Sequence, residues 1–498
     1  MGVIQRQGLK HSLVSIIGIA VGALSVLFIY PKDNYLYGLL RFISDFGMLL
    51  LPIISLGVPM LAVRYFPIFK NKKQKHHGFL GFLLLFILIA FALSTTLLWW
   101  LKDWIAPILE HLQFDNIQRI SQYKIPILIA AALLSIAQLL TNYISNFGRV
   151  ALPNVFNNLF LKLAFPGIVL LAVWSLTDYQ YSVQILLGVY AAIVLALLIY
   201  TISLGELYLK PNFSFLDKKL FKQMALFASF AILSSSGSLI AARIDSIMIS
   251  SLLGFGNNGN YGIISFMANT IQVAYMALVA VAGPIVAEKI KENDIQEVGK
   301  LYQKTSINGL ILGVFIFIAV YPNLNDLLQL TGKYEELSPL MNIFIFIGLA
   351  KLFDVATSVN HHIINYSQYY RFNLVLVLIL AILNIVCNYL FIKQLGYGEI
   401  GAAMATCLSI FLFNLGKVIF IWVKFGLQPF QKSSFLLLLI GTLVFVLAFY
   451  FPSFGHPILA IAIRGILIVA LYAFLVFRTN ISKEMNALVI QYWNRIWS

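Results

Sequence analysis

Cysteine is almost absent from this chain, with only Cys387 and Cys407 among 498 residues. Both fall inside apolar stretches, so neither a disulfide framework nor a cysteine metal cluster can be built from them. Charge is scarce too: 11% of residues are charged, against roughly 25% in globular proteins. That excludes the two or three soluble domains that the length alone would suggest. Catalytic and nucleotide-binding motifs are also missing. Gly332-Lys333 and Gly416-Lys417 are each followed by a residue other than Ser or Thr, so there is no phosphate loop and no ATP hydrolysis is expected. No HExxH, Cys-x-x-Cys or GxSxG occurs, so no catalytic residue is assigned.

What the chain has instead is apolar length. Sixty per cent of residues are hydrophobic, and runs of about 18 to 25 apolar residues recur throughout, each sufficient to cross the hydrocarbon core as a helix. The fold class is therefore all-α integral membrane, with about fourteen spans. The first six run Ser12 to Tyr30, Gly38 to Phe66, Phe79 to Leu101, Tyr123 to Ser145, Val155 to Ser175 and Val183 to Glu206. The next six are Phe221 to Leu253, Tyr261 to Val286, Gln303 to Tyr321, Leu337 to Ser358, Asn373 to Ile392 and Ile400 to Val423. Phe435 to Phe451 and Pro457 to Phe477 complete the set. The grouping suggests two pseudo-symmetric six-helix lobes, residues 1–219 and 220–425, followed by a C-terminal helix pair and tail, residues 426–498. Arg6 and Lys10 before the first run resemble a signal peptide, but the apolar stretch continues past Ala23 to Tyr30, which favours an uncleaved helix.

Base outweighs acid, 34 Lys and Arg to 19 Asp and Glu. With both termini cytoplasmic, about 21 of the basic residues fall in inner segments and about 6 in outer loops, the bias that fixes orientation. Lys70, Lys72, Lys73 and Lys75 carry it, with Lys210, Lys218, Lys219 and Lys222 and with Lys289, Lys291, Lys300 and Lys304. The net charge of +15 is thus a topology signal with attraction to membrane lipids, and no nucleic-acid partner is expected.

Ionisable residues within spans are costly and point to partners or polar cavities. Arg41 and Asp45 at i, i+4 can pair on one helix face, as can Lys351 and Asp354 at i, i+3. Arg243 and Asp245, at i, i+2, point about 200° apart and must find separate partners. Lys162 has no acid nearby in sequence and is expected to face an aqueous cavity. Arg64 and Lys417 stand close enough to span ends to snorkel, and Arg464 is a weaker candidate. Bases exceed acids inside the spans, where the acids are Asp45, Glu206, Asp245 and Asp354, and a positive interior suits an anionic ligand. Gln138, Asn142, Asn269 and Gln272 are candidate polar lining; helix-to-helix hydrogen bonding by them, by Asn146, Asn157 and Asn158, and by Asn384 and Asn388 is the commoner use of such residues. His76-His77 and His361-His362 are better read as solvated or interfacial than as metal pairs, and no metal site is assigned. Ser234 to Ser238 reads as a close-packing face and a hinge. Gly254 to Asn260 reads as a turn.

A weak internal echo joins Tyr37-Gly38 and Gly57-Val58-Pro59 to Tyr261-Gly262 and Gly283-Pro284. With Arg243-Ile244-Asp245 and Gly398-Glu399-Ile400-Gly401-Ala402-Ala403, these features resemble the multidrug/oligosaccharidyl-lipid/polysaccharide exporter superfamily, and within it the polysaccharide transporter branch of Wzx-type O-antigen flippases. The resemblance implies translocation of an undecaprenyl-pyrophosphate-linked oligosaccharide across a bacterial inner membrane by alternating access of two lobes. For such a substrate, the charges within the spans make Arg243, Lys162 and either Arg41 or Lys351 the expected contacts, with Asp45, Asp245 and Asp354 as candidates for coupling to H⁺ or Na⁺. No other cofactor is expected; a glycan polymerase or chain-length regulator is an expected partner. A lipid II flippase, a multidrug or metabolite antiporter, and a membrane scaffold or enzyme are the alternatives.

Overall fold

A computed structural model of the chain describes residues 17–111, 116–452, 455–482, 484–487 and 491. Arg6, Lys10 and the Ser12 start of the first expected span lie outside them. The described residues form helices without strands. Among the described residues twelve helices are long and apolar enough to cross a membrane, and Tyr334–Leu340 with Asn342–Thr357, bent by 46° at their junction, form a broken apolar pair that brings the number up to 13 if it is one span. Ile17–Phe28 is the described part of the first expected span. The protein is a multi-pass membrane protein.

The chain packs as two compact units, residues 1–260 and 261–498. The first holds α1 (Ile17–Phe28), α2 (Asn34–Ile54), α3 (Val58–Arg64), α4 (Phe79–His111), α5 (Lys124–Ser145), α6 (Leu161–Val173), α7 (Tyr179–Ser203) and α8 (Lys218–Leu252). Its boundary falls inside α9 (Phe255–Asn269). Grouping spans by sequence puts a boundary at 219/220, whereas packing places α8 within the first unit. Residues Ser246 to Leu252 of that helix are all buried, and α8 packs along α2.

Aspartates start three of these helices. The side chains of Asp33, Asp178 and Asp217 accept from the backbone N–H groups of Leu36, Tyr181 and Leu220, satisfying donors that a helix start leaves open. α2 ends where Leu56 and Gly57 turn left-handed, φ 46° and 70°, and Pro59 lies in the first turn of α3. Glycine is required at 57 twice over, because a Cβ there would also stand 2.8 Å from the Ala228 carbonyl oxygen. Gly47 brings α2 against Ala130 and Ala131 of α5, small residues allowing close approach.

The segment expected as a Gly/Asn turn is mostly helix. Only Gly254, φ 108°, is left-handed, and α9 begins at Phe255. Its glycines serve packing: a Cβ on Gly38 would fall 1.8 Å from the Phe255 carbonyl oxygen, and one on Gly259 would fall 2.0 Å from that of Asn34. α2 and the start of α9 therefore cross backbone to backbone. Asn34 donates to Asn260 at 2.9 Å and Asn258 donates to the Gly38 carbonyl at 3.0 Å, which fixes the register of the crossing.

The second unit contains α10 (Ile271–Lys291), α11 (Ile295–Val320), α12 (Asn342–Thr357), α13 (Asn360–Tyr366), α14 (Tyr370–Tyr389), α15 (Gly398–Phe425), α16 (Lys432–Phe449) and α17 (Pro457–Arg478). The expected span Tyr261 to Val286 is broken at Thr270, between α9 and α10, while Pro284 sits inside an unbroken α10. The two prolines of the internal echo thus do different work: Pro59 follows a break and Pro284 makes none. The C-terminal pair packs on α11. Leu437, Ile440 and Val444 of α16 share a buried cluster with Ile307, Ile311 and Val314, and the Tyr472 hydroxyl of α17 donates to the Ile311 carbonyl at 2.8 Å.

Candidate functional site

Within the first unit, α2 and α8 bring three charged residues together. Arg243 Nη1 donates to Asp45 Oδ1 at 2.8 Å, and Arg41 Nε lies 3.5 Å from Asp45 Oδ2. The i, i+4 spacing makes the second contact local; the first joins residues 198 apart in sequence. Arg41 is also anchored by donating from Nη1 to the Asn258 carbonyl at 3.3 Å, so the α2–α9 crossing holds its guanidinium in place. Beside the carboxylate, Tyr190 of α7 donates to Ser44 at 2.7 Å.

Burial of this cluster is graded. The Asp45 side chain is 5% exposed, Arg41 22% and Arg243 39%. A carboxylate so enclosed is stable only when paired, and two guanidinium groups on one carboxylate leave a net charge of one positive. Arg243 Nε is buried without a hydrogen-bond partner. Arg243 therefore finds its partner on α2. Asp245, two residues on, is half-buried.

Lys162 on α6 is half-buried, its ammonium 3.2 Å from where a Cβ on Gly18 of α1 would stand. No hydrogen bond or ion pair is formed by it among the described residues. α6 is preceded by a wider helical turn, Val155–Phe160, in which Asn157 donates to Thr141 at 2.8 Å and Asn158 donates to Asn154. The amides at the end of α5 bond to neighbouring backbone: Asn142 donates to the Pro59 carbonyl at 2.8 Å and Asn146, just past the helix end, to that of Ala62 at 2.9 Å, both acceptors on α3 next to the Gly57 break. Gln138 is exposed and donates to Asn142 at 3.0 Å.

A second polar network lies within the second unit. Lys351 donates to Gln272 Oε1 at 3.0 Å, and Gln272 donates to Asp354 Oδ2 at 2.8 Å, so a glutamine from α10 links the two charges on α12. Asn414 of α15 donates to Asp354 Oδ1 at 3.0 Å and accepts from Asn360 at 3.2 Å. Both oxygens of Asp354 are thus engaged by amides. Asn269 is exposed at the end of α9, and Asn388 bonds to Asn384 within α14 at 2.7 Å.

Several expectations are corrected. Lys417 does not snorkel: its side chain turns into the unit, the residue is 3% exposed, and Nζ sits 3.6 Å over the Phe413 ring. Arg464 is fully structural; its guanidinium reaches Asp326, Asn323 and the carbonyls of Pro322 and Phe451. His76 is buried, not solvated, and lies 2.8 Å from Glu206, which Lys72 approaches at 3.5 Å. Lys75, His76 and His77 are all left-handed there, and His77 stacks on Phe215. α8 runs unbroken through Ser234 to Ser238, where Ser235 and Ser238 return hydrogen bonds to the preceding turn. No group of metal-ligating residues occurs among the described residues. Sequence reasoning missed Asn414, Asn360 and Asp326, which carry no local signal and meet their partners only through the fold.

Known structures share this helical layout. A lipid II flippase, MurJ, in an inward-closed conformation superposes with a TM-score of 0.69 at 14% identity, covering 95% of this chain and 98% of that one. An inward-facing multidrug resistance MATE family transporter of the MOP superfamily gives a TM-score of 0.61 at 11% identity, covering 83% and 94%. A MOP superfamily transporter from Pyrococcus furiosus gives 0.50 at 13% identity over 85% and 96%. At these identities the likeness is one of fold. No curated protein sequence matches the chain. Residues 26–290 match the family of polysaccharide biosynthesis proteins, more than half of the sequence, and the chain belongs to that family.

Proposed function

We propose that this protein flips an undecaprenyl-pyrophosphate-linked oligosaccharide from the cytoplasmic to the periplasmic leaflet of a bacterial inner membrane, for O-antigen, capsule or exopolysaccharide synthesis. The observation that carries the reading is the net-positive Arg41–Asp45–Arg243 cluster between spans. Moving a diphosphate through the bilayer interior requires cationic groups to replace its hydration, and Arg is the side chain best shaped for phosphate oxygens. Lys162, without a partner among the described residues, adds a further cation in the same unit. Membership of a polysaccharide biosynthesis family supports a glycan cargo, and the excess of Lys and Arg in the inner segments supports an orientation with both termini cytoplasmic. Two lobes rocking about the bound head group would alternate access. Lys351 is a further candidate contact, Asp45, Asp245 and Asp354 are candidates for H⁺ or Na⁺ coupling, and a glycan polymerase or chain-length regulator would receive the product.

The test is replacement of the chromosomal gene by Arg243→Ala, with membrane levels of the protein monitored. Surface glycan should fall at least about tenfold while undecaprenyl-linked glycan accumulates, since a charge contact of this kind is worth several kcal/mol. Full export by that variant would sink the assignment. Accumulation of lipid II with cell lysis would redirect it to the peptidoglycan precursor.

A further inference from the structure

The Arg243 guanidinium is only half used. Asp45 Oδ1 takes Nη1 alone, and Nε is buried with no acceptor, so the ion pair is single and not the two-pronged arrangement that guanidinium and oxyanion adopt when unconstrained. Asp45 already has an alternative partner, since its other oxygen lies 3.5 Å from Arg41 Nε. Arg41 is more enclosed than Arg243 and is tied to the Asn258 carbonyl, so it is the fixed member of the pair and Arg243, 39% exposed, the accessible one.

We propose that Asp45 is a resident stand-in for the substrate's anionic head: it occupies Arg243 when the site is empty and is displaced onto Arg41 when a diphosphate ester arrives. This rests on the flippase reading above and adds the regulation of its site. No bond is made or broken in the exchange. A diphosphate offers two adjacent oxyanions, enough to take a pair of guanidinium donors, including one that Asp45 leaves without an acceptor. Repulsion between the incoming phosphate and the carboxylate drives Asp45 toward Arg41. Because the Asp45–Arg243 contact joins α2 to α8, the same exchange removes a tie between two spans of the first unit. Substrate binding and release of α8 become one event, so the protein has a reason not to move unloaded.

The exchange makes an unusual demand: neutralising Asp45 must improve binding. Full-length protein in lipid nanodiscs is titrated with farnesyl diphosphate and, separately, inorganic pyrophosphate. Asp45→Asn and Asp45→Ser should each bind farnesyl diphosphate about tenfold or more tightly than the unsubstituted protein, a coupling of ordinary size between competing groups. The gain should vanish in an Arg243→Ala background. Both neutral variants should export less glycan in cells than their tighter binding would suggest, because the tie between α2 and α8 no longer reports the substrate. If whichever neutral variant folds binds farnesyl diphosphate no more tightly than the unsubstituted protein, the stand-in role is overturned while the flippase reading survives. If the unsubstituted protein binds neither probe and Arg243→Ala exports normally, the flippase reading itself has failed.

Discussion

Arg464 shows what one buried charge does in this fold. It is 5% exposed and its guanidinium is shared among Asp326, Asn323 and two backbone carbonyls, an arrangement that ties α17 to the short helix Leu324–Gln329. Removing one partner leaves the other uncompensated in a dry setting, which costs about 3 to 5 kcal/mol; removing both leaves no orphan charge. Arg464→Ala and Asp326→Ala should each lower the thermal unfolding midpoint in detergent by many degrees, while Asp326→Leu with Arg464→Met should recover most of the loss. Single variants as stable as the parent would show that the pair holds nothing together. The contrast with Arg243 is physical. Nε of each is buried without a hydrogen-bond partner, but Arg464 has four acceptors and is 5% exposed, whereas Arg243 has one acceptor and a side chain 39% exposed.

At the scale of the element, the crossing of α2 with the start of α9 sets the position of Arg41, because Asn258 both donates to Gly38 and accepts from Arg41. Gly38→Ala would put a methyl 1.8 Å from the Phe255 carbonyl oxygen, a backbone atom that cannot step aside. The variant should be destabilised by about 1 to 3 kcal/mol or more, as overpacked sites are, and should lose glycan export. Gly188→Ala in α7, with nothing within 4 Å, is the matched control and should behave as the parent within about 1 kcal/mol. Equal behaviour of the two variants in folded yield and export would remove the crossing from the account. Here the limits of sequence reading are concrete. Apolar runs located the spans, although α4 ends at His111 and α11 starts at Ile295, well beyond the expected Leu101 and Gln303, and two expected spans are broken at Gly57 and Thr270; i, i+4 spacing was enough to pair Arg41 with Asp45. Gly254 to Asn260 misled, because glycine and asparagine mark turns in water but also mark close helix crossings in a membrane protein, and composition does not separate the two. Asp45 as the partner of Arg243, Glu206 as that of His76 and Asp326 as that of Arg464 are each more than 100 residues away. No local pattern encodes such pairings.

For the whole molecule, orientation is the property that decides which side the substrate enters, and charge should set it. Lys73 lies in the exposed basic loop before α4, and Lys333 lies in the segment between α11 and α12. Counting spans with both termini cytoplasmic puts the first inside and the second outside, and the excess of Lys and Arg on the inner side is what holds that arrangement during insertion. The chain suits a direct test, because Cys387 and Cys407 are its only cysteines and neither forms a disulfide. In a background with both replaced by serine, a cysteine at position 333 should react with a membrane-impermeant maleimide on spheroplasts. A cysteine at position 73 should react only after the membrane is opened. The reverse pattern would invert the topology and with it the direction of transport. It would also leave Lys70, Lys72, Lys73 and Lys75 facing the periplasm, where the cytoplasmic leaflet's anionic lipids could no longer attract them, so the basic excess would need a different explanation.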